Sequence, residues 1–211
     1  LPSESTGKSS GFRTVLGVDP GTRITGYAII RKRGGRVRAL EFGAIRTAPE
    51  GMPGRLAIIY EGIVALIRKF SPDEFAIETA FYGKNAQSAL KLGHARGVSI
   101  LAAVLAGMPT SEYSPREVKK AVTGSGSASK QQVRFMVQQI LGLPSSEASG
   151  GKRTPGVYDA SDALAVALCH LQRPDGFVQR ARTSRRRRTD AWDDFLRKHP
   201  ERVLPPRGGR P

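Results

Sequence analysis

Two short apolar runs in this chain each end in a carboxylate, and no other feature limits its fold so tightly. Residues 14–19 read TVLGVD and residues 75–79 read FAIET. Runs so short, and without polar alternation, suit strands buried on both faces at the centre of a helix-covered sheet. A charged carboxylate inside or at the end of such a strand is costly unless a hydrogen bond or a cation compensates it. Asp19 and Glu78 therefore call for a partner.

The pattern around these runs supplies the rest of the layer. TGYAIIRK, then Gly34-Gly35, then RVRALEFGAIRT reads as a β-hairpin turning on the two glycines. Leu56, Ile59, Tyr60, Ile63, Leu66, Ile67 and Phe70 recur at helical spacing and stop before Ser71-Pro72. Residues 85–106, rich in Ala and Leu, predict a long helix ended by Gly107 and Pro109. Residues 110–113 read as a short strand. PREVKKAVT opens a helix on its proline, and after the GSGSAS connector Ser129 caps another that runs to about Leu141. A loop rich in Gly, Ser and Pro then leads to a last helix, YDASDALAVALCHL. A hairpin followed by alternating helices and strands predicts an α/β fold with a mixed sheet flanked by helices. Residues 1–12 are expected to be a disordered lead, 13–173 one domain, and 174–211 a disordered basic tail.

Charge narrows the function. Lys and Arg number 34 against 18 Asp and Glu, a net +16. An excess of that size favours a polyanionic partner, because each phosphate contact releases condensed counterions. A ribosomal or merely cationic protein has the same composition. From Gln179 onward eleven basic residues face four acids, Arg185 to Arg188 among them, so the body keeps a positive excess of its own. The single cysteine, Cys169, excludes an internal disulfide framework and a Cys-rich zinc site and fits a reducing compartment. No apolar run reaches the length of a membrane span, so a cytoplasmic location is expected.

Asp159 and Asp162 stand three apart at the start of the last helix, on one face. Alone, Asp159 reads equally well as a helix cap. As a set with Asp19 and Glu78 the four acids read differently. Each like-charge pair at about 4 Å costs on the order of 4 kcal/mol near a protein surface. Divalent cations resolve that conflict, and an all-oxygen set suits Mg²⁺ or Mn²⁺. Two such ions can clamp an in-line phosphoryl displacement. An acidic pocket on a basic body points to phosphodiester hydrolysis.

LGVDPGTRITGYAII, FAIETAFYGKNAQSALKLGHARG, SPREVKKAVTGSGSASKQQV and DASDALAVA together resemble the successive motifs of the RuvC family of Holliday junction resolvases, from about Arg13 to Gln172. DPGT by itself is also the turn of actin-like ATPases. The resemblance implies a ribonuclease-H-like five-stranded mixed sheet and a crossover junction endodeoxyribonuclease with two Mg²⁺ or Mn²⁺ ions per active site. It assigns the metal ligands to Asp19, Glu78, Asp159 and Asp162. It makes Phe81 an aromatic wedge entering the junction, where core packing is the ordinary alternative. It places Lys119 and Lys130 at the active site, where a solvated helix face is the alternative, and offers Lys84 and Arg96 as phosphate contacts. It further implies a homodimer making paired symmetric nicks in a four-way DNA junction at a short thymine-containing sequence. Cooperation with the RuvA–RuvB branch-migration complex in homologous recombination and DNA repair belongs to the same implication. The chain departs from the pattern in its longer loop before Asp159 and its Arg-rich tail. An RNA-directed nuclease of the YqgF-like branch and an architectural DNA-binding protein are the competing readings; the second leaves the four acids unexplained. His94 and His170 have no evident partner in the sequence, and His170 is expected to pack beside Cys169.

Overall fold

The computed structural model describes residues 11–48, 51–79, 86–144 and 157–172, with the backbone alone for 157–159. The chain divides into Leu1–Arg180 and Ala181–Pro211, and every described residue belongs to the first unit. Nearly all of the expected N-terminal lead and the whole tail from 174 lie outside the described residues.

Five strands form one sheet: β1 (Phe12–Asp19), β2 (Ile24–Arg33), β3 (Arg36–Arg46), β4 (Glu74–Glu78) and β5 (Thr110–Tyr113). Their order is β3-β2-β1-β4-β5. β2 and β3 run antiparallel to their neighbours, while β4 and β5 run parallel to β1. The two runs that opened the sequence are thus adjacent, β1 at the centre and β4 beside it. Alternation along each strand sorts the core into two layers. Leu16, Val18, Ile29, Phe75 and Ile77 face α1 (Met52–Phe70) and α2 (Ala86–Leu105). Val15, Ala28, Ala76 and Tyr113 face α3 (Pro115–Thr123), α4 (Lys130–Leu141) and α5 (Val157–Leu171). The sheet is mixed, five-stranded and flanked by helices, as the patterning requires. Among the described residues no helix is long and apolar enough to cross a membrane.

Gly17, midway along β1, sets how near α5 can come. A Cβ there would lie 2.5 Å from the Ala163 carbonyl oxygen and 2.7 Å from the Ala167 Cβ. The missing side chain lets α5 press its alanines onto the strand, and α5 carries two of the four acids. α3 and α4 are held by their ends. Ser114 and Ser129 cap α3 and α4, each with a capping box completed by Glu117 and Gln132. Gly124 closes α3 in the left-handed region at φ 81°.

His170 corrects the sequence reading that gave it no partner. It is buried, and its Nδ1 shares a hydrogen bond of 2.6 Å with the Tyr113 hydroxyl. Its Nε2 meets Glu74 and, at 3.3 Å, Arg13, and Glu74 also takes two guanidinium contacts from Arg13 at 2.6 and 2.8 Å. Burial would raise the Glu74 carboxyl, but the hydrogen bonds from His170 and Arg13 outweigh it and hold the group below its ordinary range. The network ties β1, β4, β5 and α5 together, running from Arg13 and Glu74 at the end of the sheet away from Asp19 to Tyr113, which pairs with Glu78. Tyr113→Phe leaves Nδ1 buried without this partner and should cost about 1 to 3 kcal/mol. The urea midpoint measures this, and an unchanged midpoint would show that the bond contributes nothing.

Candidate metal centre

Asp19 and Glu78 close β1 and β4 at the same edge. The parallel register pairs Val18 with Ile77, so one further residue brings the two acids side by side. Strand parity turns both toward α5, because Asp19 shares a face with Val15 and Glu78 shares one with Ala76. α5 supplies Asp162 from its second turn, and its helical backbone places Asp159 one turn earlier. Asp159 lies inside the helix that begins at Val157, beyond the cap position. Its side chain is outside the described residues.

The chain beyond Asp19 is tied back at once. The Thr25 hydroxyl, buried on β2, donates to the Gly21 carbonyl at 2.7 Å. A Cβ on Gly21 would sit 2.2 Å from the Ile24 carbonyl oxygen, so the Asp-Pro-Gly-Thr turn requires glycine there. Beyond Glu78, Thr79 donates its backbone N–H to the Tyr113 carbonyl at 2.7 Å and its hydroxyl to the same oxygen at 3.2 Å. Sequence reasoning missed Thr25 and Thr79. Their signal was weak: a threonine next to, or a few residues beyond, each strand-ending acid.

The electrostatics match a cluster short of positive charge. Burial, then repulsion from Asp162, pushes the Asp19 carboxyl up to about 6, against the lowering pull of Lys130. Burial, then Asp19 and Asp162, pushes Glu78 up to about 7, opposed by Lys130 and Lys119. Lys130 Nζ donates to Asp162 Oδ2 at 3.2 Å and is itself raised, chiefly by the Asp162 charge. Being the first residue of α4, Lys130 is aimed by the Ser129 capping box. Asp19, Glu78, Asp162, Lys119 and Lys130 therefore form one interacting group.

Arg96 is the one remaining candidate among the described side chains, and no contact joins it to this group. It is on α2, ion-paired with Glu112 of β5. Phe81 and Lys84 lie outside the described residues. Among the described residues no three acidic, histidine or cysteine side chains come close enough to share one ion. The donor chemistry nonetheless fits a hard divalent cation: the groups are all carboxylate, burial and mutual repulsion oppose their charge, and an ammonium already sits where positive charge is wanted.

A family profile described as "Crossover junction endodeoxyribonuclease RuvC" matches residues 15–170. A protein of that name from Shewanella baltica is 51% identical over 164 residues, covering 78% of this chain and 90% of the relative. Among solved structures, "T. thermophilus RuvC in complex with Holliday junction substrate" superposes with a TM-score of 0.66 at 33% identity, covering 75% of this chain and 93% of that one. The yeast mitochondrial Holliday junction resolvase Ydc2 matches in fold, with a TM-score of 0.54 at 18% identity over 74% of this chain and 77% of its own.

Proposed function

The chain belongs to the RuvC family of crossover junction endodeoxyribonucleases, which are metal-dependent nucleases, and from that membership we propose that it resolves four-way Holliday junctions by paired symmetric nicks. The observation that carries this reading is the strand register that sets Asp19 beside Glu78, with Asp162, Lys119 and Lys130 acting on their charge, in a chain of net charge +16. Asp19, Glu78, Asp159 and Asp162 would hold two Mg²⁺ or Mn²⁺ ions. Bound there, such ions lower the pKa of an attacking water and neutralise the departing oxygen.

The chain's own residues bind and orient the substrate. Lys130, whose side chain is 79% exposed, can exchange Asp162 for a phosphate oxygen once the acid has another cation. Lys119 places a second charge beside Glu78. Phe81 enters the junction as a wedge, and Lys84 follows it onto the backbone. Arg96 joins the phosphate contacts by giving up Glu112.

A second copy completes the assembly. Leu90, Leu101 and Leu105 expose 63%, 50% and 65% of their surface on α2. Gly93 and Gly97 lie between them with open space where a side chain would be, so another helix can approach closely. Cooperation with RuvA–RuvB, action in recombination and repair, and a cytoplasmic setting rest on family membership alone.

One assay tests the reading: labelled four-way junction, plain duplex and structured RNA, each with and without Mg²⁺ or Mn²⁺. Symmetric nicking of the junction alone, and only with metal, is expected. Cleavage of the RNA in place of the junction overturns the proposal.

Metal should also act on stability, with a definite pH dependence. Asp19 and Glu78 rise from 3.8 and 4.5 in the ordinary state to about 6 and about 7 in the fold. Through that window the unfolded chain gives up protons that the folded chain keeps. The metal-free protein therefore loses stability as pH rises from about 4 to about 7, on the order of 3 kcal/mol for Glu78. A cation that takes the ionised pair reverses the loss, so Mg²⁺ should raise the melting temperature more at about pH 8 than at about pH 5. Equal shifts at both values would mean that the ion binds elsewhere.

A further inference from the structure

The β2–β3 hairpin carries two arginine pairs on one face. Arg31 lies opposite Arg38, and Arg33 opposite Arg36. Like charges directly opposite across a sheet destabilise it, so the fold alone gives no reason for either pair. Protecting the sheet edge explains charge on the outer strand β3, but not matching arginines on β2 inside it. These four side chains, with Phe12 and Leu40, line a concave surface of about 420 Å³ that no acid among the described residues lines. Glu41, the next acid along β3 on this face, is already engaged by Lys69 at 3.6 Å. Arg31 is held in place: its guanidinium lies 4.6 Å above the Phe12 ring, and its Nε donates to the Thr14 hydroxyl at 3.0 Å. Arg33, Arg36 and Arg38 are exposed.

We infer that this hairpin face is a second DNA contact, where the four arginines grip the phosphate backbone of duplex at a distance from the site of cutting. One anchored and three exposed guanidiniums suit a polyanion, and their exposure suits a backbone more than a buried small ligand. Phe12 and Asp19 close opposite ends of β1, about 23 Å apart along an extended strand. The arginines also share the sheet face of Ile29 while Asp19 faces α5, so the patch meets the substrate well away from the scissile phosphate. Contacts of this kind add affinity and salt dependence without reading bases. The inference rests on the reading of the chain as a DNA nuclease, though only on its binding DNA.

The test uses the full chain and two triple variants, Arg33→Gln/Arg36→Gln/Arg38→Gln and the same positions to Lys. Affinity for plain duplex is measured across a salt series, with melting temperature and cleavage of saturated junction as controls. The Gln triple should flatten the slope of log affinity against log salt by about 2 to 3, near 0.9 for each phosphate released. The Lys triple should keep the wild-type slope, since a phosphate contact of this kind needs charge. Both should melt no lower than wild type and cleave saturated junction normally. A wild-type slope in the Gln triple overturns the inference and leaves the patch to an acidic protein surface. An equal loss in both triples overturns it as well, because charge would not be the cause. If the wild-type chain fails to cut junctions while the slope still falls in the Gln triple alone, the DNA contact stands and the resolvase reading falls.

Discussion

Asp19→Asn and Glu78→Gln are each expected to lower junction cleavage about a thousandfold or more, with junction binding retained. The amides keep nearly the shape of the acids but lose the charge that holds a hard cation. Losing cation-assisted stabilisation of several kcal/mol gives that factor, at 1.36 kcal/mol per tenfold in rate. Binding should survive or tighten slightly, because each change removes a negative charge facing the phosphates. Both variants should also melt at least as well as wild type without metal. In the fold the Asp19 carboxyl is raised to about 6 by burial and by Asp162, and the Glu78 carboxyl to about 7 by burial and by Asp19 and Asp162. Either change removes a carboxylate whose charge burial opposes, and replacing Asp19 also relieves Glu78. Cleavage within tenfold of wild type by either variant would remove these residues from the metal centre.

Gly17→Val should have the largest effect on folding. The first added carbon would already lie 2.5 Å from the Ala163 carbonyl oxygen and 2.9 Å from the Ala167 nitrogen, and both are backbone. Helix backbone has no alternative rotamer, so the clash is relieved only if α5 lifts from the sheet. The cost should reach the order of 4 kcal/mol, above the usual range for overpacking and a large part of a domain's whole stability. Insoluble expression, or a lost cooperative melt, is the expected result. Gly17→Ala should be milder and more informative. Any protein that folds should cut slowly, because the helix that must retreat is the one carrying Asp162. A Gly17→Ala protein with wild-type melting and wild-type cleavage would show that α5 is not tightly seated there.

Much of this protein is written locally. TVLGVD and FAIE became the adjacent strands β1 and β4, because short apolar runs have nowhere to lie except a covered sheet. The glycine pair gave the hairpin its turn, and Ser114-Pro115 and Ser129 started helices where capping demands. The acids at Asp19 and Glu78 were visible as candidates because a carboxylate ending a core strand asks for compensation. Periodicity, however, reports only which residues of one element share a face. It does not say which distant element will cover that face. Arg13, Glu74, Tyr113 and His170 come from four elements, and only the packing of α5 across β1 and β4 joins them. Lys130 meets Asp162 across 32 positions for the same reason. The need for glycine at position 17 arises from a helix that follows well over a hundred residues later. The raised carboxyls are likewise a property of the assembled site, since desolvation and mutual repulsion exist only once the strands lie side by side. The sequence by itself determined the elements and the kinds of chemistry at their ends. Tertiary structure decided which ends meet, because that choice depends on the sum of many weak packing contacts between segments far apart in the chain.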